Sequence, residues 1–115
     1  MMPDPNKCPP INFTFSRRTI LEIEKLRQAW IKEFPSEEPD IVSVAWAYVH
    51  YNNGRKRQMP IISFYMKGMR PEIETHIQML CGLEVIFFIT EPDARHFAGK
   101  VLDFSEEQGF FLRAS

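Results

Sequence analysis

Residues 41–66 read IVSVAWAYVHYNNGRKRQMPIISFYM, and the alternation in this stretch decides the fold. Val42, Val44, Trp46 and Tyr48 fall on one side of an extended chain and Ser43, Ala45, Ala47 and Val49 on the other, because successive side chains of a strand point to opposite faces. A long strand is predicted over 41–51. Asn52-Asn53-Gly54 tolerates the positive φ that a tight turn demands, and residues 58–66 return as a second strand with Pro60 near its start or at an edge. The middle of the chain is therefore a β-hairpin.

On the N-terminal side, Ile11, Phe13 and Phe15 alternate with Asn12 and Thr14, a short half-buried strand, and Ser16 is placed as a helix N-cap. Ile20, Ile23, Leu26 or Arg27, Trp30, Ile31 and Phe34 then recur at three- and four-residue intervals. That spacing puts them on one face of a helix over 17–34, with Glu22, Lys25, Arg27 and Lys32 largely on the other. Pro35 ends the helix. Residues 1–10 (MMPDPNKCPP) contain four prolines and are expected to form a flexible leader ahead of a single domain over 11–115.

On the C-terminal side, residues 67–70 break the pattern. Pro71 at a first helical position, followed by Ile73, Ile77 and Leu80, leaves a short helix and an irregular loop both open as far as Gly82. Val85 to Ile89 is apolar on both faces and reads as a central strand. Glu91-Pro92-Asp93 opens a short helix through Phe97, Gly99 ends it, and residues 101–104 and 109–112 form a last pair of strands. The order β, α, hairpin, β, short α, β, β describes a strand-rich α+β domain, a small β-sandwich with one long N-terminal helix and one short one.

Composition sets outer limits. In 115 residues, 44% are apolar and 25% charged, which excludes a disordered tail protein, a coiled coil and a disulfide miniprotein. Fourteen Lys+Arg against fifteen Asp+Glu give a net charge of -1, so bulk electrostatics argue against nucleic acid or anionic lipid as a partner. The longest apolar run, 85–89, falls far short of the roughly 20 residues that span a bilayer, and no membrane contact is expected. Cys8 and Cys81 belong to no C-x-x-C, and no apolar signal segment precedes them, so the chain reads as a reduced, cytoplasmic protein with Cys81 a small buried apolar residue.

Several residues are similar to those of the HesB-like family, the A-type iron–sulfur carriers and their relatives. The resemblance rests on Gly82-Leu83-Glu84-Val85-Ile86-Phe87-Phe88-Ile89, then Asp93 to Phe97, then Gly99-Lys100-Val101-Leu102-Asp103-Phe104 and Gly109-Phe110, with Phe13-Thr14-Phe15-Ser16 and the following helix at the start. It implies a HesB-like scaffold over about residues 11–112. Carriers of that family hold iron or a cluster with three cysteines, one in the turn after the second strand and two in a Cys-x-Cys tail after the Gly-Phe strand. Here the turn reads Asn52-Asn53-Gly54-Arg55-Lys56-Arg57, and residues 111–115 read FLRAS. Thiolates make cluster binding possible, so the resemblance implies a scaffold without carrier chemistry, and no cofactor or metal is expected.

The remaining motifs point to binding rather than catalysis. His50, His76 and His96 fall on three different elements without ligand spacing, and Glu72 with His76 reads as a helix surface pair. Ser43, Ser63 and Ser105 lack a Gly-x-Ser-x-Gly setting. Arg55-Lys56-Arg57 is the one dense positive cluster and has Tyr48 and Tyr51 close before it, a solvated hairpin tip or a contact for phosphate or single strands. Trp46 and Tyr48, with Phe64 on the returning strand, either line an aromatic groove or cover the helix that carries Trp30. Phe110 and Phe111 point to opposite faces of the last strand, so an exposed Phe111 beside a strand edge would suit a protein partner or a homodimer. The expected contact residues are thus Trp46, Tyr48, Arg55, Lys56, Arg57 and Phe111 of a protein-interaction domain. The alternative is a small-ligand domain or enzyme that uses the groove around Trp46 and Tyr48 with Arg55 and Arg57.

Overall fold

A computed structural model describes residues 12–89 and 91–115; the expected leader over 1–10 lies outside them. The chain is an α+β domain of two sheets. Strands β1 (Thr14–Phe15), β6 (Lys100–Ser105) and β7 (Gly109–Ala114) form a three-stranded sheet in the order β1-β6-β7. Strands β2 (Pro39–His50), β3 (Lys56–Met66), β4 (Gln78–Leu80) and β5 (Leu83–Phe88) form a four-stranded sheet in the order β3-β2-β5-β4. Helix α1 (Arg17–Glu33) follows β1 directly, α2 (Arg70–Ile73) is flanked by single 3-10 turns, and α3 (Glu91–Ala94) joins β5 to β6.

The period-two pattern of β2 holds. Val42, Val44 and Trp46 face the main core, which they share with Val85, Phe87 and Ile89 of the β5 region, Phe13, Phe15 and Leu102 of the other sheet, Ile23 of α1, and Phe97. Ile41 and Ala45 face away from it, onto a smaller cluster with Ile86, Phe88, Tyr65, Ile73 and Ile77. This second cluster explains why 85–89 is apolar on both faces. β5 lies between β2 and β4, and the α2 segment covers its far side. Pro60 sits on the terminal strand of its sheet, where a missing N–H breaks no ladder.

Ser16 caps α1: its Oγ accepts from the Thr19 N–H at 3.1 Å, satisfying one of the helix's orphan donors. The inward face of α1 is narrower than its spacing suggests. Thr19 and Ile23 are fully buried, whereas Ile31 and Phe34 are exposed. Arg27 turns inward instead. Its Nη1 donates to the carbonyls of Pro39 (2.7 Å) and Asp40 (2.9 Å), and its guanidinium lies 5.0 Å over the Phe64 ring.

Residues 78–80 form a strand that sequence spacing did not suggest, and it turns into β5 through Cys81 and Gly82 alone. Both have positive φ, 52° and 81°, as the first and second positions of a type I′ hairpin turn require. That turn exposes Cys81, correcting the expectation of a buried residue, because its backbone must stand at the tip. Its Sγ lies 3.5 Å from the Phe15 N–H, which donates to it weakly. A left-handed conformation strains cysteine but suits asparagine. Cys81→Asn is therefore expected to stabilise the fold by about 0.5–1 kcal/mol, less what the sulfur contact contributes. A denaturant midpoint that falls in this variant would contradict the strain.

Candidate functional site

The long hairpin outruns its sheet. β5 pairs with β2 only from Val42 to Ala45, while β2 and β3 stay paired out to His50 and Lys56. Trp46 marks the root of this ribbon: its ring stacks on His96 (4.6 Å between centroids, 11° between planes) and meets Phe97 edge-on at 5.5 Å. Opposite it, Pro60 is buried. Beyond that pair the ribbon continues for four residues in each strand, roughly 14 Å at the rise of a β-strand, and residues 50–56 at its tip are all exposed.

Local chemistry closes the tip. The Gly54 N–H donates to the Tyr51 carbonyl (3.0 Å), Gly54 adopts φ 82°, and the Tyr51 N–H then donates to the Arg55 carbonyl (2.9 Å). This is a three-residue loop with a glycine in the left-handed region before the returning strand. Asn53 Oδ1 accepts from the Arg55 N–H at 3.0 Å, bracing the turn from within. Tyr48 and Tyr51 remain 56% and 45% exposed, unusual for such large rings. His50 and Lys56 are a cross-strand pair and, like Tyr48, are exposed. Among the described residues none of Arg55, Lys56 and Arg57 enters an ion pair or a side-chain hydrogen bond.

Of the six expected contact residues, four gather on this ribbon: Tyr48, Arg55, Lys56 and Arg57. Trp46 is not available. Its ring is covered by His96 and Phe97, so no groove links it to Tyr48, and Phe64 packs instead on Trp30 at 6.3 Å. Among the described residues the buried Trp46 Nε1–H has no hydrogen-bond acceptor. Phe111 is half-buried rather than exposed, because it shares its face of β7 with Asp103 across the ladder while Phe110 and Leu112 face the core.

Two charged centres escaped the sequence. Asp103 is fully buried, and its carboxylate is surrounded by donors. Oδ1 accepts from Ser16 Oγ (2.7 Å), Arg18 Nε (3.2 Å) and the Phe104 N–H (2.8 Å); Oδ2 accepts from Arg18 Nη2 and Arg113 Nε, both at 2.7 Å. Burial alone would push this carboxyl up, but the hydrogen bonds from Arg18, Ser16, Arg113 and the Phe104 amide outweigh it and hold the group well below the usual carboxylate range. An acid so saturated and so firmly ionised neither takes nor gives a proton near neutrality; it locks α1 to β6 and β7. The Asp of the Gly-x-x-x-Asp-aromatic pattern therefore has a structural task here.

Arg70 is the second centre. It grips Asp40 with Nε and Nη2 (2.8 and 3.0 Å) and Glu84 with Nη1 and Nη2 (2.8 and 2.7 Å), tying α2 to the starts of β2 and β5. The hydrogen bonds from Arg70 hold both carboxyls below their ordinary range. An open cleft of about 510 Å³ lies between α1 and the β6–β7 turn, lined by Arg18, Leu21, Lys25, Phe104 and Glu106 among others. Its mixture of both charges with apolar surface selects no ligand class.

Among the described residues no three His, Cys, Asp or Glu side chains come together as a metal-ligand set, and no helix is long and apolar enough to cross a membrane. No protein-family model, curated protein or solved structure matches the chain.

Proposed function

We propose that the chain is a non-catalytic binding protein on a HesB-like scaffold that does not carry an iron–sulfur cluster, and that it meets its partner through the β2–β3 ribbon. The observation that carries this reading is the state of the ribbon. Among the described residues three cations have no counter-charge, and two open tyrosine rings lie with them at the end of the ribbon around a braced turn. Unpaired side chains of this kind add nothing to folding but are ready for an anionic surface. The HesB-like part is supported by the order of elements and by the place of the pattern's residues in it, with Asp103 inside β6 and Gly109 opening β7. The loss of carrier chemistry is supported by the turn at 52–57, where arginine and lysine stand in place of a thiolate.

On a heparin column the full chain is expected to elute at clearly higher salt than the triple variant Arg55→Gln/Lys56→Gln/Arg57→Gln. Co-elution of the two would overturn the ribbon as the contact. Anaerobic incubation with iron and sulfide is expected to leave the protein colourless, and a stable brown product would restore the carrier reading.

A further inference from the structure

The near-zero net charge conceals a segregation. Residues 41–71 hold five Lys and Arg and no Asp or Glu, whereas the rest of the chain holds nine cations against fifteen carboxylates. The structure then sorts those five cations. Lys67 pairs with Glu38 at 3.5 Å and Arg70 with Asp40 and Glu84, which leaves Arg55, Lys56 and Arg57 as the local excess, all at the ribbon tip. Charge is thus neutralised at the root of the hairpin and left uncompensated at its end.

Tyr48 shares one face of the ribbon with His50 and Lys56, Arg57 takes the opposite face, and Tyr51 pairs with Arg55 at the turn, so open aromatic surface and cations meet around the tip. A positive groove or ridge interleaved with open aromatic rings is how proteins hold single-stranded nucleic acid: cations follow the phosphates, and unstacked bases lie on the rings. A duplex keeps its bases stacked on one another and would leave the tyrosines unused. An added protein strand would need an apolar, uncharged edge, and charged side chains along an exposed strand discourage that pairing. From this juxtaposition we infer that the β2–β3 ribbon binds single-stranded nucleic acid, with Arg55, Lys56 and Arg57 on phosphates and Tyr48 and Tyr51 as base-stacking platforms. The inference rests on the ribbon as contact surface and adds the partner.

The test is fluorescence anisotropy of the full chain with a labelled twelve-nucleotide oligo(dT) or oligo(U), run beside a duplex of equal length and a polyglutamate competitor. Contact with three phosphates predicts a salt slope near -2, so binding should weaken by about 20-fold between 50 and 200 mM salt. Tyr48→Ala and Tyr51→Ala should each weaken it by roughly ten-fold through lost stacking, and Tyr48→Phe and Tyr51→Phe should restore it. All four changes are at exposed positions, and a circular dichroism melt checks that each variant is folded. Tighter binding to the duplex, unchanged affinity in the alanine variants, or competition by polyglutamate as strong as by unlabelled oligonucleotide would overturn the inference. Retention on heparin with any of these results would leave the anion-binding ribbon standing without a nucleic-acid partner. Loss of both would remove the ribbon reading itself.

Discussion

The double variant Arg18→Met/Arg113→Met is expected to lose about 3–5 kcal/mol of stability near neutral pH, because it strips two guanidiniums from a carboxylate that stays fully buried. The native ion pairs themselves are not the source of that figure. Both arginines are about half exposed, and exposed pairs are worth little; the loss comes from leaving a charge in the interior with too few donors. The pH dependence carries a second signature. In the native protein Asp103 titrates below its ordinary value of 3.8, so the folded state binds fewer protons than the unfolded chain. The stability it contributes is complete above pH 5 or so and drains away as pH falls through the unfolded value and below. In the double variant only the bonds from Ser16 and the Phe104 amide still oppose burial, so the carboxyl should be held down much less and acidification should cost less stability. Urea midpoints measured from pH 7 down to pH 2 should therefore fall for the native protein and rise, or fall less, for the variant. Parallel curves would show that the arginines do not hold the carboxylate.

Phe97→Ala is expected to cost a further order of the same size, about 3–5 kcal/mol, since it empties a fully buried ring site. Phe97 meets Phe13 at 5.3 Å and Trp46 at 5.5 Å, so it joins the segment before β1, the turn after α3 and the root of the ribbon. Removing it deprives Trp46 of one of its two covering rings. A thermal midpoint lowered by roughly 12–20 °C, with a red-shifted tryptophan emission, is the expected result. A loss below 1 kcal/mol would mean that the site collapses around the smaller side chain and that the aromatic cluster is not what roots the hairpin.

The parts of this fold legible in the sequence are those carried by local periodicity. Residues 42–48 alternate large and small because Val42, Val44 and Trp46 face the main core and Ser43 and Ala45 the smaller side, Ser16 caps because its oxygen reaches an amide three residues on, and Val85 to Ile89 is apolar throughout because clusters lie on both sides of β5. What stayed hidden depends on distant partners. β4 is only three residues long and exists through its pairing with β5, too short for any period to register. Asp103 looked like one more polar residue in an alternating strand; its partner Arg18 is 85 positions away. Arg27 fitted either face of its helix until the carbonyls of Pro39 and Asp40 supplied acceptors. For the candidate site, the cluster Arg55-Lys56-Arg57 and the nearby tyrosines were visible, but that no carboxylate among the described residues pairs with them was not, since it depends on where Glu38, Asp40 and Glu84 end up. Trp46 was misread as available because sequence cannot show that His96 lies flat upon it.

The pairing of β1 with β6 has a consequence for how the chain is made. Thr14 and Phe15 run parallel to Val101 and Leu102, Ser16 donates to Asp103 across 87 positions, and Thr19 donates to the Leu102 carbonyl across 83. Of the described elements, those synthesised earlier thus find partners among those synthesised later. The β2–β3 hairpin needs no such wait, because its strands are neighbours in sequence. Synthesis should therefore present a nascent chain with its hairpin closed early and the C-terminal half of α1 already held by Arg27 and Trp30, while the N-terminal turn of α1 waits for residues 101–103, a long-range closure that slows folding. During that interval the apolar face of α1, with Ile20 and Ile23, has only the part of its native cover that β2 supplies.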